Sequence, residues 1–316
     1  MTDLDELSPL RFFAIWVTPP APFSPRFHRS LESVFKHHPT AHLDVLSNSL
    51  PATFFHSLTS RTNHSIKIRR YDLASLTKGT RAEVWYAFRR FWSRSAFFPN
   101  HEADLLRLLW LAEHGGVYLD TDVVFVRPLD VRAALADGGG VVGIESGGGG
   151  AAAPNSSAAA DGPIAPILAA DAVLCNAVLA FAAGADFLRA ALAEFVDDYV
   201  PYTPGLGFAE LFVRGEWGWQ GPLLLSRVAR RRPETVRILE RDVFYPIAPG
   251  EIASHMTPWD DRRDGPAWER IRRRSVAVHF WNQLSREQPL ACGSLLWRLL
   301  DENCVVCELL PCVEPR

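Results

Sequence analysis

The chain has 316 residues, 36 acidic against 33 basic side chains, a formal net charge of −3 and a pI near 6.4. That balance leaves no polyanion-binding footprint and argues against nucleic acid as a partner. A hydrophobic content of 48% with 22% charged residues is that of an ordinary globular protein. No stretch reaches the roughly 18–20 apolar residues of a membrane span. The first ten residues, MTDLDELSPL, are acidic and carry no signal-peptide pattern.

Taken in order, LRFFAIWV (10–17) reads as a buried first strand running into the proline-rich TPPAPFSP. In PRFHRSLESVFKHHP (25–39), Phe27, Leu31, Val34 and Phe35 make a helical stripe stopped by Pro39. AHLDVLSNSL (41–50) is a second strand. Strand, helix and strand form a βαβ unit, hence a parallel sheet. Residues 52–60 fit a short helix and HSIKIRRYD (64–72) a third strand. TRAEVWYAFRRFW (80–92) places Val84, Trp85, Phe88, Phe91 and Trp92 at helical spacing, which predicts core aromatics.

The central stretch is HEADLLRLLWLAEHGGVYLDTDVVFVRPLD, residues 101–130. A helix over 102–113 puts Asp104 and Arg107 on one face, opposite Leu105, Leu108, Leu109 and Ala112. Gly115 and Gly116 stop it. A strand follows through Val117 and Leu119, and Asp120 and Asp122 interrupt it. Carboxylates two apart on an extended backbone project to the same side and can share one hard divalent cation. Ligand sites of open α/β sheets lie at such carboxyl ends of strands.

Downstream, VVGI (141–144) is a short strand. SGGGGAAAPNSSAAADGPIAP (146–166) is a low-complexity insertion expected to be a flexible loop. It holds the sequon Asn155-Ser156-Ser157, and Asn63-His64-Ser65 is another, each a hint of a secretory lumen. VLCNAVLAF (173–181) is strand-like, DFLRAALAEFVDDYV (186–200) helical, and WGWQGPLLLSRVARR (217–231) a turn feeding a helix. TVRILE (235–240), DVFYPI (242–247) and SVAVHFWN (275–282) read as strands or strand ends, SLLWRLLDENC (294–304) as a closing helix. The basic runs Arg230–Arg232 and Arg270–Arg274 read as solvated faces. Of five cysteines, Cys304, Cys307 and Cys312 crowd the end as CVVCELLPC. A zinc site would lack its fourth ligand, so buried or tail thiols or one local disulfide are expected.

The run ADLLRLLWLAEHGGVYLDTDV resembles the DxD segment of a glycosyltransferase superfamily, whose pattern is (S/A)-D-L-x-R, an apolar spacer, then G-G-(I/V)-Y-x-D-x-D. The matching positions are Asp104, Arg107, Gly115, Gly116, Tyr118, Asp120 and Asp122. CNAVLAF, EWGWQGPLLLSRV, FYPI and VAVHFWN resemble later blocks of its α1,4-glycosyltransferase branch, the lactosylceramide 4-alpha-galactosyltransferase-like and plant-type members, in the right order. Where that branch has W-G-H-N-G-P, this chain carries Trp219 and Gln220 at the His-Asn positions.

The resemblance implies an α/β GT-A fold, one Rossmann-like domain with a mostly parallel central sheet and helical additions. Its parts would be a nucleotide-binding DxD half (10–135), the insertion (146–166), an acceptor half (170–290) and a C-terminal helix and tail (291–316). It implies a retaining hexosyltransferase that moves galactose or N-acetylglucosamine from a UDP-sugar, with Mn²⁺ or Mg²⁺, to a glycan or glycolipid hydroxyl. Asp122 with Asp120 and His279 would hold the metal. Asp104, Arg107, Asp120 and Asn176 would carry the catalytic site. Trp16, Tyr118 and Trp281 would join Asp104, Arg107 and Asp120 around the nucleotide-sugar. Residence in the Golgi or secretory lumen is implied too, since family members are often membrane-anchored. Two competing readings are an inactive pseudo-glycosyltransferase that binds nucleotide-sugar or glycan, and a phosphohydrolase using Asp120 as nucleophile in a DxDx(T/V) loop.

Overall fold

A computed structural model describes residues 9–147 apart from 22 and 94, residues 168–197, and residues 218–314 apart from 309. The low-complexity segment from residue 148 onward, its sequon at Asn155, and residues 198–217 lie outside the described residues. The strands are β1 (Arg11–Ile15), β2 (His42–Leu46), β3 (Ser65–Arg69), β4 (Gly116–Leu119), β5 (Val123–Phe125), β6 (Gly140–Ser146), β7 (Val173–Phe181), β8 (Arg237–Leu239) and β9 (Ala277–His279). Seven form a mostly parallel sheet in the order β3-β2-β1-β4-β7-β6-β8, and β5 pairs with β9 in a second, two-stranded sheet. This is the α/β architecture that the βαβ pattern predicts.

The chain divides into two compact units. The first holds residues 1–70, 119–129 and 246–316. Its strands β1, β2 and β3 are parallel, with Phe13 opposite Asp44 and Val45 opposite Ile68. The helix Pro25–His37 buries Phe27, Leu31, Val34 and Phe35 as its stripe predicts. It also supplies Ser33, whose hydroxyl accepts the N–H of Phe125 at 2.9 Å and fixes the start of the helix-to-β5 packing. β5 and β9 are antiparallel, with Val123 opposite His279 and Phe125 opposite Ala277.

The second unit holds residues 71–118 and 130–245. Its longest helix among the described residues, Phe98–His114, stops at Gly115, whose φ of 63° lies in the left-handed region. A Cβ there would come within 2.6 Å of the Ala183 nitrogen, so both backbone conformation and contact demand glycine. β7 pairs antiparallel with β6, which pairs parallel with β8. Phe181 stacks on Phe187, and Trp85 on Phe98, to fill the core of this unit.

Three expectations change and one unforeseen helix appears. The aromatic run 80–92 breaks into helices Ala82–Ala87 and Arg89–Trp92 at Phe88. The break interrupts the 3.6-residue period, so Trp85 is buried while Val84, Phe88 and Phe91 are exposed. DVFYPI is not a strand: Arg241–Phe244 is a helical turn. The phenol of Tyr245 must reach the N–H of Val178, accepting it at 3.1 Å, and Pro246 has no N–H for a ladder. The basic run at 270–274 ends a helix, Asp261–Arg274, capped by the Asp260 carboxylate and buried along Asp264, Ala267 and Ile271. Finally, there are two disulfides rather than one, Cys292–Cys312 and Cys304–Cys307. Cys175 is buried outside both.

Candidate active site

In the first unit, the Asp120-Thr121-Asp122 turn joins the end of β4 to β5, and the N–H of Val123 closes it on the Asp120 carbonyl at 3.1 Å. β9 arrives antiparallel beside β5, and the N–H of Phe280 donates to the carbonyl of Asp122 at 2.9 Å. That register sets the Nε2 of His279 3.2 Å from the Oδ2 of Asp122, although 157 residues separate them in the chain. One donor atom each from Asp120, Asp122 and His279 lies within 4.8 Å of the other two.

The backbone just past His279 is unusual. Trp281 adopts φ 49° and ψ 56°, a left-handed conformation that costs a residue with a Cβ roughly 1–2 kcal/mol. Its indole N–H donates to the carbonyl of Ile247 at 2.9 Å, and its ring lies 4.1 Å from that of His279. The turn it makes aims the N–H of Asn282 at Oδ2 of Asp122, 2.6 Å away. Burial pushes the Asp122 carboxyl up. The charge and hydrogen bond of His279, with the N–H of Asn282, outweigh burial and hold it below the usual carboxylate range.

Two carboxylates and one imidazole suit a divalent ion of the manganese–magnesium type more than a softer one. A donor atom from each of the three residues lies within 4.8 Å of the other two, close enough for all three to face one ion.

In the second unit, Asp104 and Arg107 share one face of the helix Phe98–His114, both nearly buried. Their side chains are 3.4 Å apart. Asn176, in mid-β7, donates its side-chain amide to Oδ1 of Asp104 at 2.8 Å, while its main-chain carbonyl accepts from Nη1 of Arg107 at 3.0 Å. The Arg107 guanidinium also lies over the ring of Tyr118, 4.6 Å from its centroid. The turn before the helix Pro222–Arg231 closes on this group. A Cβ on Gly221 would sit 2.4 Å from Nδ2 of Asn176 and 3.0 Å from Oδ2 of Asp104. Gln220 is fully buried, and Trp219 packs under the guanidinium of Arg227 at 4.1 Å.

Asp120, Asp122 and His279 thus come together, as do Asp104, Arg107, Asn176 and Tyr118. Trp16 is enclosed: 8% exposed, its ring 4.6 Å from Phe23 and 5.3 Å from Phe27, its indole N–H donating to Pro19. Sequence reasoning missed the Asn282 N–H, because a main-chain donor leaves no side-chain signature. It also missed the closeness of Gly221, for which the Gly-Pro turn was the available signal.

Two family models match the chain: the glycosyltransferase sugar-binding region containing the DXD motif, over residues 24–137, and the alpha 1,4-glycosyltransferase conserved region, over residues 207–309. The chain thus carries the sequence regions of the DxD-containing glycosyltransferases and of their α1,4 branch. Between them the matched regions contain Asp104, Arg107, Asp120, Asp122, Gly221 and His279. Lactosylceramide 4-alpha-galactosyltransferase of Homo sapiens is 25% identical over 288 residues, 82% of this chain and 65% of that one. Alpha-1,4-N-acetylglucosaminyltransferase of Homo sapiens is 24% identical over 230 residues, 68% and 52% of the two chains. An uncharacterized Arabidopsis thaliana protein is 25% identical over 303 residues, 95% of this chain. The chain spans 42% of that plant relative's length. Among solved structures, galactosyltransferase LgtC with donor and acceptor sugar analogs aligns over 96% of this chain and 98% of its own, at 12% identity and a TM-score of 0.45. The mostly parallel sheet described above has the α/β architecture that the resemblance implies.

Proposed function

We propose that this glycosyltransferase-family chain transfers a hexose, galactose or N-acetylglucosamine, from a UDP-sugar to a hydroxyl of a glycan or glycolipid, forming an α-linkage with retention. The observation that carries the reading is the convergence of Asp120, Asp122 and His279 at the carboxyl end of β4. The names of the two human relatives support the choice of sugars and the α1,4 linkage.

Asp120, Asp122 and His279 would hold a divalent cation. Such an ion neutralises the charge that develops on a departing nucleoside diphosphate, without proton transfer. The N–H of Asn282 keeps one Asp122 oxygen oriented, with the buried imidazole of His279 beside it. Asp104, Arg107 and Asn176 would take the donor sugar's hydroxyls. Arg107 bonds the Asn176 carbonyl and pairs with Asp104, so both polar groups are held before sugar arrives. In transfer, the bond from sugar C1 to the phosphate oxygen breaks and a bond to the acceptor oxygen forms on the same face. The acceptor's proton passes to the leaving phosphate.

Residence in a secretory lumen agrees with two disulfides and with the exposed sequon at Asn63. Among the described residues no helix is long and apolar enough to cross a membrane. The test is transfer of radiolabelled sugar from a panel of UDP-sugars to lactose- and N-acetyllactosamine-terminated acceptors with Mn²⁺. Activity that survives Asp122→Ala refutes the site. Binding of UDP-sugar with no turnover on any donor points instead to a nucleotide-sugar-binding scaffold.

A further inference from the structure

The two disulfides are built differently. Cys292–Cys312 is locked into main-chain pairing: the N–H of Cys292 donates to the carbonyl of Val313 at 2.9 Å, and the N–H of Val313 to that of Leu290 at 2.8 Å. Cys304–Cys307 closes a ring with only Val305 and Val306 between its ends. So short a loop removes little freedom from the unfolded chain, which makes the bond a weak staple.

What holds this loop is a carboxylate. The N–H groups of Val305, Val306 and Cys307 all donate to Oε2 of Glu32, at 2.8, 2.8 and 3.1 Å. Glu32 is buried on the helix Pro25–His37. Both flanks are anchored to the same helix. Asn303 Oδ1 meets the Nε2 of His37 at 2.7 Å, and the carbonyl of Glu308 accepts from Arg29. These bonds fix Cys307 at a φ of 55° without help from sulfur. Opening the disulfide should therefore leave the loop backbone in place, with the two sulfurs near enough to reclose. Accessibility gives the reaction a direction, since Cys307 is exposed and Cys304 buried.

We propose that Cys304–Cys307 is a reversible thiol–disulfide exchange site, attacked at the sulfur of Cys307 by a dithiol reductant. The attacking thiolate forms a bond to Sγ of Cys307, and the Cys304–Cys307 bond breaks with Cys304 leaving as thiolate. The reductant's second thiolate then attacks its own sulfur in the mixed disulfide and releases Cys307. Two electrons and two protons pass from the dithiol to the pair, and the dithiol leaves as a disulfide. Closure by an oxidant is the reverse. A Glu32 carboxylate oxygen also lies within 4.8 Å of both sulfurs, so the group that orders the loop sits beside the bond itself.

The test is graded reduction of the folded chain with dithiothreitol, acid quench, alkylation and peptide mass mapping. The expected result is loss of the Cys304–Cys307 bond while Cys292–Cys312 stays closed and the near-ultraviolet circular dichroism is unchanged. Removal of the reductant restores the bond. Cys304→Ser exposed to glutathione disulfide should carry the adduct on Cys307, and Glu32→Gln should reclose more slowly. Opening of both bonds together, or of Cys292–Cys312 first, or with loss of the dichroism, overturns the proposal. The wild-type titration decides even if a variant fails to fold.

Discussion

The left-handed turn at Trp281 should be the most sensitive point behind the carboxylate cluster. Its backbone conformation costs roughly 1–2 kcal/mol for a residue with a Cβ. The indole repays that by donating to Ile247, itself fully buried, at 2.9 Å. The Trp281 carbonyl meanwhile accepts the N–H groups of Leu284 and Ser285 at 2.7 and 3.0 Å. Trp281→Phe keeps the strained backbone and an aromatic face for His279 but deletes the donor. Losing the partner of a buried carbonyl costs about 1–3 kcal/mol, and the smaller ring adds about 1 kcal/mol. The expected loss is therefore about 2–4 kcal/mol. Trp281→Gly relieves the strain, but it gives up some 200 Å² of burial, worth about 5 kcal/mol at about 25 cal/mol per Å². The order of stability by urea unfolding should be wild type, Phe, Gly. Mn²⁺ affinity by calorimetry should fall in both variants as the N–H of Asn282 drifts from Asp122. A glycine variant as stable as wild type, or a phenylalanine variant within about 0.5 kcal/mol and with unchanged affinity, refutes the reasoning.

Gly221→Ala should force its methyl group between Asn176 and Asp104 at a cost of about 1–3 kcal/mol. We expect lower transfer rates and altered donor-sugar discrimination with UDP affinity kept, read by steady-state kinetics and calorimetry. Asp264 gives a pH signature far from chemistry. Burial pushes its carboxyl up, but bonds from Arg263, the Asp260 N–H and His255 outweigh it and leave it below its ordinary value. A carboxyl depressed in the folded state stabilises above its unfolded pKa and loses that effect as pH falls through the folded value. The stability gap between wild type and Asp264→Asn should thus be constant near neutrality and shrink below about pH 4, measured by thermal melts across pH. A gap independent of pH contradicts this ion network.

Much of the fold could be read from the sequence because burial and periodicity agreed. The stripe Phe27, Leu31, Val34, Phe35 and the strands around it are local patterns that the core satisfies directly. Asp120 and Asp122 stood out because carboxylates broke an apolar strand. The partnership of Asp122 with His279 depends on β5–β9 register, which no local pattern encodes. The helix Asp261–Arg274 was masked by its charge and by Gly265 and Pro266, although Asp260 was a cap in plain view. The stripe at Val84, Phe88 and Phe91 misled because Val84 already faces solvent on the first short helix and the break at Phe88 leaves Phe88 and Phe91 exposed too. Disulfide pairing, the conformation of Trp281 and the main-chain donor at Asn282 are products of tertiary structure and leave no residue-type signal.

The central claim is that Asp122, with Asp120 and His279, holds a cation on which nucleotide binding depends. Titrating UDP with Mn²⁺ into wild type, Asp122→Ala and Asp104→Ala by calorimetry tests it most directly. Binding in wild type, its loss in Asp122→Ala and on chelation, and its retention in Asp104→Ala is the predicted pattern. UDP binding that is indifferent to the metal, or unchanged in Asp122→Ala, would contradict it.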